Sequence, residues 1–385
     1  MQNFEFYNPT RIIFGKDMVS KLSEHIPPSS RVLILYGGSS AERNGTLNDV
    51  RSALGNRFFR EFGGIESNPT YETLIKAIFL VRNDNLDFIL AVGGGSVMDG
   101  AKFIAAAVLY EGEPWDIPAS GGKIVKQALP LGTVVTLSAS GSEMNCMSVI
   151  SRLSTGEKLM FCTPLIFPVF SVLDPTLTLN LPEKQVANGI VDSFVHVMEQ
   201  YMTYPVNAMV QDRFSEGLLS SLIEIGPRII ADPENYELRS NLMWIATLAL
   251  NGLIGAGVPH DWASHIIGHE ITVKYKIDHA RTLSILYPSM LKVRRKFKYK
   301  KLLQYAERVW NLTEGDEESR IDIAIQKTED FFQSLGAPIR LSDCDINAQD
   351  IDTLLQLLTE HGMNHLGEHG DITFDSIREI LTVAS

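Results

Sequence analysis

The first half of the chain alternates short apolar runs with longer amphipathic ones. Arg31-Val32-Leu33-Ile34-Leu35-Tyr36 is apolar at nearly every position and stops at Gly37-Gly38-Ser39-Ser40, which predicts a buried strand and a tight turn. From Tyr71 to Asp84 the apolar residues Leu74, Ala77, Ile78 and Val81 fall three and four apart, the stripe of an amphipathic helix. Leu86 to Val92 is a second apolar run, ending in Gly93-Gly94-Gly95-Ser96, with a helix predicted from Val97. Leu131 to Leu137 is a third, ending in Ser138-Ala139-Ser140-Gly141-Ser142-Glu143, and Val169 to Leu173 reads as extended. Continuous apolar strands separated by helices predict a parallel sheet covered on both faces. Ligands of such sheets bind at the carboxyl ends of the strands, where these glycine turns lie.

Past Leu181 and Pro182 the rhythm changes. Helical periodicity runs through Val186 to Tyr201, Asn207 to Ile225, Tyr236 to Leu253, Trp262 to Val273 and Lys301 to Trp310, and strands are hard to find. The pattern predicts two domains, α/β over residues 1–182 and all-helical over 183–385. There are no internal repeats and no long linker.

Composition narrows the classes of partner. With 45% hydrophobic and 21% charged residues the chain can bury a large core. A net charge of −12 argues against a nucleic-acid or anionic-membrane partner, since both attract a basic face. Cys146, Cys162 and Cys344 are odd in number and far apart in sequence. They predict neither a disulfide framework nor a zinc knuckle, and suit a reducing compartment. Met1-Gln2-Asn3-Phe4-Glu5 lacks the start of a signal peptide. The most apolar stretch, Leu242 to Val258, is broken by Asn251 and by glycines, and reads as a core helix, too short to span a bilayer. A cytoplasmic location is expected. His361, His365 and His369 are spaced four and four, but Gly362, Gly367 and Gly370 interrupt any helix, so a solvated loop is expected there. Lys292 to Lys301, with seven basic residues in ten, is expected to be a solvated helix and loop.

Two stretches carry chemistry. Gly93-Gly94-Gly95-Ser96-Val97-Met98-Asp99-Gly100 places glycines between a strand and a helix N-terminus. Glycines let the backbone approach a ligand and take positive φ, and the helix aims free N–H groups at that space, as a pyrophosphate requires. Ser96 and Asp99 also match a capping box, which explains those two residues but not three glycines. The stretch is not G-x-G-x-x-G, so the domain is Rossmann-like without the usual fingerprint. The second stretch runs from Asn188 to His279. Asp192 and His196 are four apart, as are His265 and His269, and His279 follows ten residues later. Four-residue spacing puts each pair on one helix face. Their neighbours Val191, Phe194, Val195 and Met198 are apolar, and a buried carboxylate there needs a partner. On spacing alone, buried hydrogen bonds and a divalent metal explain the pairs equally. A carboxylate with two or three imidazoles suits Zn²⁺ or Fe²⁺. The protease pattern H-E-x-x-H is absent, because Val273 stands where its second histidine would be.

The order of these motifs resembles the iron-containing (group III) alcohol dehydrogenase family: a Gly-Gly-Gly-Ser-x-x-Asp turn, then D-x-x-x-H, then H-x-x-x-H and a final histidine. Tyr36-Gly37-Gly38, Phe62-Gly63-Gly64-Ile65 and Gly255-Ala256-Gly257-Val258-Pro259 resemble its NADPH-dependent butanol dehydrogenase and aldehyde reductase branch. The resemblance spans essentially the whole chain. It implies an N-terminal dinucleotide-binding domain, a C-terminal helical metal and substrate domain, an active site between them, and a homodimer. It implies metal ligation by Asp192, His196, His265 and His279, with His269 beside the metal near the substrate. It implies that Gly93, Gly94, Gly95 and Ser96 hold the pyrophosphate and that Asp99 faces the nicotinamide half. Asn68, Thr136, Ser138 and Lys158 match further cofactor contacts. Ser138 and Ser140 stand where many relatives have proline and threonine, which keeps that wall small.

The turn Gly37-Gly38-Ser39-Ser40 bears on the choice of cofactor. NADH-preferring proteins are expected to carry an acidic residue just after this strand. Ser39 and Ser40 are neutral and can donate to a 2′-phosphate, and Arg43 adds a cation, although Glu42 opposes it. NADPH is the expected cofactor over NADH. The expected reaction is hydride transfer to a short-chain aldehyde, with His269 relaying a proton. Two other readings are a metal- and NAD-dependent lyase or cyclase on a dehydroquinate synthase-like scaffold, and a non-catalytic dinucleotide-binding module. The lyase would need basic residues beside the metal for an anionic substrate. Phe194, Val195, Leu253, Ile254, Ile266 and Ile267 are apolar instead.

Overall fold

The structure, a computed structural model, describes all 385 residues. The chain forms two compact units. One comprises Tyr7–Leu181 and Glu234–Thr247, and the other Met1–Phe6, Pro182–Pro233 and Leu248–Ser385. The main change of unit falls at Pro182. The first six residues and a segment at 234–247 cross between units, and neither crossing leaves a mark in the hydrophobic pattern.

The first unit runs β1 (Arg11–Phe14), α1 (Leu22–His25), β2 (Arg31–Tyr36), α2 (Ser40–Arg43), α3 (Thr46–Leu54) and β3 (Phe58–Phe62). It continues with α4 (Tyr71–Asn83), β4 (Phe88–Gly93), α5 (Gly95–Val108), α6 (Asp116–Ala119), β5 (Leu131–Val135), β6 (Met147–Arg152), β7 (Glu157–Cys162) and β8 (Phe170–Leu173). Six strands make one parallel sheet in the order β1-β8-β5-β4-β2-β3. Side chains alternate between its faces. Val32, Ile34, Phe88, Leu90, Val92, Val134, Phe170 and Val172 pack with Leu22, Leu47, Val50 and Leu54. Leu33, Leu35, Ile89, Ala91, Leu131, Val135 and Leu173 pack with α4 and α5. Both faces are covered, which is why these strands read as unbroken apolar runs.

Strand β2 has β3 on one side and β4 on the other. The connections diverge there, and the crevice beyond the strand ends is the usual ligand position. The ends of β2 and β4, paired Tyr36 to Val92, carry the two glycine turns. β6 and β7 form a separate antiparallel hairpin, from Met147↔Cys162 to Arg152↔Glu157. This hairpin, β1 and β3 have no long apolar run. Their strand residues are half-exposed, so period-2 apolar patterning is weak.

The second unit is helical: α7 (Glu183–Tyr201), α8 (Met209–Ala231), the end of α9 (Tyr236–Ala249), α10 (Ala263–Tyr275), α11 (His279–Val293), α12 (Arg295–Arg308), α13 (Glu317–Ser334), α14 (Ile351–Glu360) and α15 (Phe374–Val383). The predicted core helix over Leu242 to Val258 stops at Ala249, because Asn251 and Gly252 (φ +89°) turn the chain. No helix is long and apolar enough to cross a membrane.

One expectation about polar runs is corrected and the other holds. The basic run at Lys292 to Lys301 is only partly solvated: Lys296 and Lys300 are exposed, but Arg294, Lys298 and Lys301 are buried. Lys298 is 3% exposed and donates to Met202 O (2.7 Å), Asp261 Oδ2 (2.7 Å) and Glu368 Oε1 (2.9 Å). Arg294 pairs with Asp371, Lys301 with Asp212 and Lys292 with Glu329. The histidine triplet lies in a loop, as expected, with His365 and His369 exposed; His361 Nδ1 lies 2.8 Å from Glu270, and His369 stacks on Tyr204. Burial works against the Lys298 charge, but Asp261 and Glu368 outweigh it and hold its pKa above the usual lysine value.

Removing that cation strands two buried carboxylates. Lys298→Ala should destabilise the protein by about 3–5 kcal/mol, read as a lower urea midpoint. Lys300→Ala, at an exposed position of the same run, should change it by less than about 0.5 kcal/mol.

Candidate functional site

The turn after β4 is built by exclusion of Cβ atoms. A Cβ on Gly93 would lie 2.5 Å from Val97 Cγ2, one on Gly94 3.1 Å from Leu137 Cβ, and one on Gly95 2.4 Å from Ser140 Oγ. None of the three has positive φ, so the reason for glycine is space and not the left-handed region. Helix α5 begins at Gly95 with Gly94 as its N-cap and no side-chain cap. The capping-box expectation is therefore wrong, and the helix starts two residues before Val97. Its first N–H groups have no side chain over them, the arrangement that receives an anion.

Residues from distant segments gather round this turn. Asn68, left-handed at φ +61°, donates its N–H to Ser96 Oγ (3.2 Å) and accepts from Lys158 Nζ at Oδ1 (2.9 Å). Thr136 N donates to Gly93 O (3.0 Å), and Ser138 is buried nearby in sequence. Both Asp99 oxygens are engaged inside the fold, by Ser142 Oγ (2.7 Å) and Val149 N (3.0 Å), so Asp99 braces α5 against the hairpin. Below it Lys102, fully buried, donates to Ser142 Oγ, Asn145 Oδ1 and Met147 O, each at 2.8 Å. Burial pulls this ammonium down to about 8, with Asp99 pulling the other way.

At the end of β2, Gly37 O accepts from Gly64 N (2.8 Å), and Gly38, Ser39 and Ser40 are exposed. Glu42 does not face solvent alone. Arg51 grips it through Nη1 (3.1 Å) and Nη2 (2.8 Å), and also holds Glu61 through Nε (2.8 Å). That pairing lowers the Glu42 pKa and tempers the charge that a 2′-phosphate would meet.

The second constellation lies in the helical unit. Helix α7 is buried almost all round from Val186 to Tyr201. Asp192, His196 and Glu199 share one of its faces, at spacings of four and seven. Helix α10 brings His265, and α11 opens with His279. A Cβ on Gly268 would sit 2.5 Å from Thr282 Oγ1, so glycine there lets α10 and α11 close on each other. Asp192, His265 and His279 offer ligand atoms all within 4.8 Å of one another. His196 Nε2 is 3.7 Å from Asp192 Oδ1, and its ring stacks on His265 at 4.8 Å between centroids. His196 stands outside the mutually close trio. The His269 ring is 4.8 Å from that of His279. Trp262, itself left-handed at φ +63°, lays its edge on His265 and His196.

The donor set fits a divalent cation. Asp192 Oδ1 and His265 Nε2 are buried with no hydrogen-bond partner, 4.0 Å apart. Two ligands about 2.1 Å from a tetrahedral ion lie about 3.4 Å apart. His265 Nδ1 is 2.8 Å from Glu199 Oε2. A carboxylate only accepts, so Nδ1 carries the proton and Nε2 presents its lone pair to the cluster. Glu199, 1% exposed, also accepts from Ser264 N (2.9 Å). Asp278, beside His279, is held by Lys184 (2.7 Å) and Asn188 (3.1 Å). Sequence reading missed Glu199 and Gly268. The signals were present: an acid seven residues after Asp192 on an apolar helix, and a glycine one residue before His269.

The family model for iron-containing alcohol dehydrogenase matches residues 9–175, and that for the C-terminal part of the Fe-containing alcohol dehydrogenase family matches 186–385. Over 386 residues the chain is 54% identical to the NADPH-dependent aldehyde reductase YqhD of Escherichia coli, with 100% of both chains covered. It is 41% identical to a probable NADH-dependent butanol dehydrogenase of Bacillus subtilis, with 99% of each covered. The substrate- and cofactor-free structure of the Escherichia coli aldehyde reductase superposes with a TM-score of 0.95 at 53% identity, covering 100% of both chains. NADH-dependent butanol dehydrogenase A of Thermotoga maritima gives a TM-score of 0.95 at 33% identity, covering 100% of this chain and 99% of that one.

Glu199→Gln replaces the accept-only carboxylate that fixes the His265 tautomer with a neutral amide that can also donate. Divalent-metal affinity, measured by competition with a chromophoric chelator, should fall about 10- to 100-fold. Glu224→Gln, on the exposed side of α8, should leave it unchanged.

Proposed function

The chain belongs to the iron-containing alcohol dehydrogenase family, and on that premise we propose that it reduces short-chain aldehydes to primary alcohols with NADPH, reversibly, at a site holding one divalent metal. The family is one of NAD(P)-dependent alcohol and aldehyde oxidoreductases, which sets aside the lyase and the non-catalytic module. The observation that carries the proposal is the convergence of Asp192, His265 and half-buried His279, whose ligand atoms lie within 4.8 Å of one another, with Asp192 Oδ1 and His265 Nε2 buried and without hydrogen-bond partners.

We assign the metal to Asp192, His196, His265 and His279, with the first, third and fourth as its tightest set. Iron and zinc both accept such ligands, and loading follows availability. A bound metal supplies Lewis-acid polarisation of a carbonyl oxygen. The chain does the rest. Asp192 sets the charge of the cluster, and Glu199 holds His265 in the ligating tautomer. Trp262 covers the imidazoles and limits access of water. We assign His269, whose ring lies 4.8 Å from that of His279, to deliver the proton that an alcohol product needs. For the cofactor we assign Gly93, Gly94, Gly95 and Ser96 to the pyrophosphate, and Gly37, Gly38, Ser39, Ser40, Asn68, Thr136, Ser138 and Lys158 to its surroundings. Asp99 acts through the brace it makes with Ser142 and Val149. The neutral Ser39 and Ser40, the Arg51 clamp on Glu42, and the name of the 54% identical relative all favour NADPH over NADH. We further infer a cytoplasmic homodimer, consistent with free thiols and with β1 lying at an open edge of the sheet.

Following the reduced-nicotinamide absorbance with butanal tests the proposal. NADPH should be consumed, and faster than NADH. Metal-replete protein that leaves both cofactors untouched across a panel of short aldehydes would refute it. His265→Ala should lose both metal and turnover. Gly95→Ala should weaken NADPH binding by about 1–3 kcal/mol, measured by fluorescence titration, because Ser140 must move. Adding Ser140→Gly should restore much of it.

A further inference from the structure

Cys146 and Cys162 are 16 residues apart, yet the β6–β7 hairpin brings them together. Met147 pairs with Cys162, and Thr163 N donates to Cys146 O (3.2 Å), so the two cysteines close the open end of the hairpin. Their sulfur atoms are 2.9 Å apart, as thiols. The gap exceeds a disulfide bond of about 2.05 Å by under about one ångström. The backbone around them is already fixed: Cys162 N donates to Gly121 O (3.4 Å), and Lys102 ties down Asn145 and Met147 on either side of Cys146. The two differ in access, since Cys162 is exposed and Cys146 half-buried. Sixteen residues of separation gave no sign in the sequence that this pair would meet. Cys344 lies apart, in the helical unit.

We propose that Cys146 and Cys162 are a hydroperoxide-reactive thiol pair, in which exposed Cys162 attacks and Cys146 resolves, forming a reversible intramolecular disulfide. In the first step the Cys162 sulfur takes one oxygen from the hydroperoxide; the O–O bond breaks, leaving a sulfenic acid and releasing water or an alcohol. In the second, Cys146 sulfur displaces that hydroxyl, the S–S bond forms, and a second water leaves with the Cys146 proton. Two thiols are oxidised by two electrons, and the peroxide is reduced by two. A dithiol reverses the reaction by exchange through a mixed disulfide. Access points to Cys162 as the attacking sulfur, and a hydrogen bond from the Cys146 S–H to it would favour its thiolate. The immediate resolving thiol would keep Cys162 from the irreversible higher oxides. The proposal is independent of the reduction chemistry assigned above.

The test uses full-length, fully reduced protein exposed to a small excess of hydrogen peroxide, quenched with catalase, then denatured for thiol counting and peptide mapping. Free thiols should fall from three to one, with Cys146 linked to Cys162, and dithiothreitol should restore three. Cys344→Ser should fall from two to none. Cys146→Ser should instead yield a Cys162 sulfenic acid trapped by a cyclic 1,3-dione. Retention of all three thiols under peroxide that oxidises glutathione would overturn the proposal, as would links only between chains. The wild-type map decides the matter even if the Cys146→Ser variant fails to fold.

Discussion

The helical unit is arranged around a polar cluster that the protein leaves incomplete. Asp192, His196 and Glu199 occupy a helix that is buried almost all round from Val186 to Tyr201. Glu199 finds its partners within the chain, in His265 and Ser264. Asp192 Oδ1 and His265 Nε2 do not. A buried carboxylate without a partner costs several kcal/mol, as an order of magnitude, and a fold does not retain that cost twice in one place without a compensating ligand. The surrounding architecture sustains the arrangement. Gly268 lets α10 and α11 approach closely enough for His279 to reach the others, and Trp262 adopts a left-handed backbone to cover them.

The sheet unit solves a different problem with different means. Its ligand end is shaped by atoms that are missing. Three consecutive glycines face Val97, Leu137 and Ser140, and each lacks the Cβ that those neighbours would displace. The capping residue is glycine itself, so the amides of the first turn of α5 stay open. Polar side chains brace this gap from behind. Lys102, Ser142 and Asp99 form one buried chain, and Asp99 hands it on to the hairpin at Val149. The hairpin returns at Lys158 to hold Asn68 against Ser96. The turn is thus fixed from both sides, so an anion bound there would meet a low ordering cost.

Much of this was legible in the sequence because it is local. Apolar runs of five or six residues read as central strands, and β2, β4 and β5 lie there. Four-residue spacings of acid and imidazole put side chains on common helix faces, and Asp192, His265 and His279 do converge. Edge strands and the hairpin escaped, since half-exposed strands carry no continuous apolar signal. Function needed the family resemblance as well: spacing alone left hydrogen bonding and metal binding level. Wherever the answer depended on a distant partner, the local reading failed. Glu42 looked like a charge opposing a phosphate until Arg51 was seen gripping it.

The basic run of α12 shows the general form of that failure. Charge density along a sequence measures how many cations there are, not what neutralises them. Lys298 meets Asp261 and Glu368, 37 and 70 residues away, and Lys301 meets Asp212, 89 away. Each partner looks like an ordinary surface acid on its own. The pair of cysteines obeys the same logic, with 16 residues between two sulfur atoms 2.9 Å apart. A buried charge or a reactive thiol takes its character from whichever group the fold sets against it, and that choice is made by topology. Helical and strand periodicity describe how one segment meets the core. They say nothing of which two segments meet each other, and the polar chemistry of this protein is concentrated at those meetings.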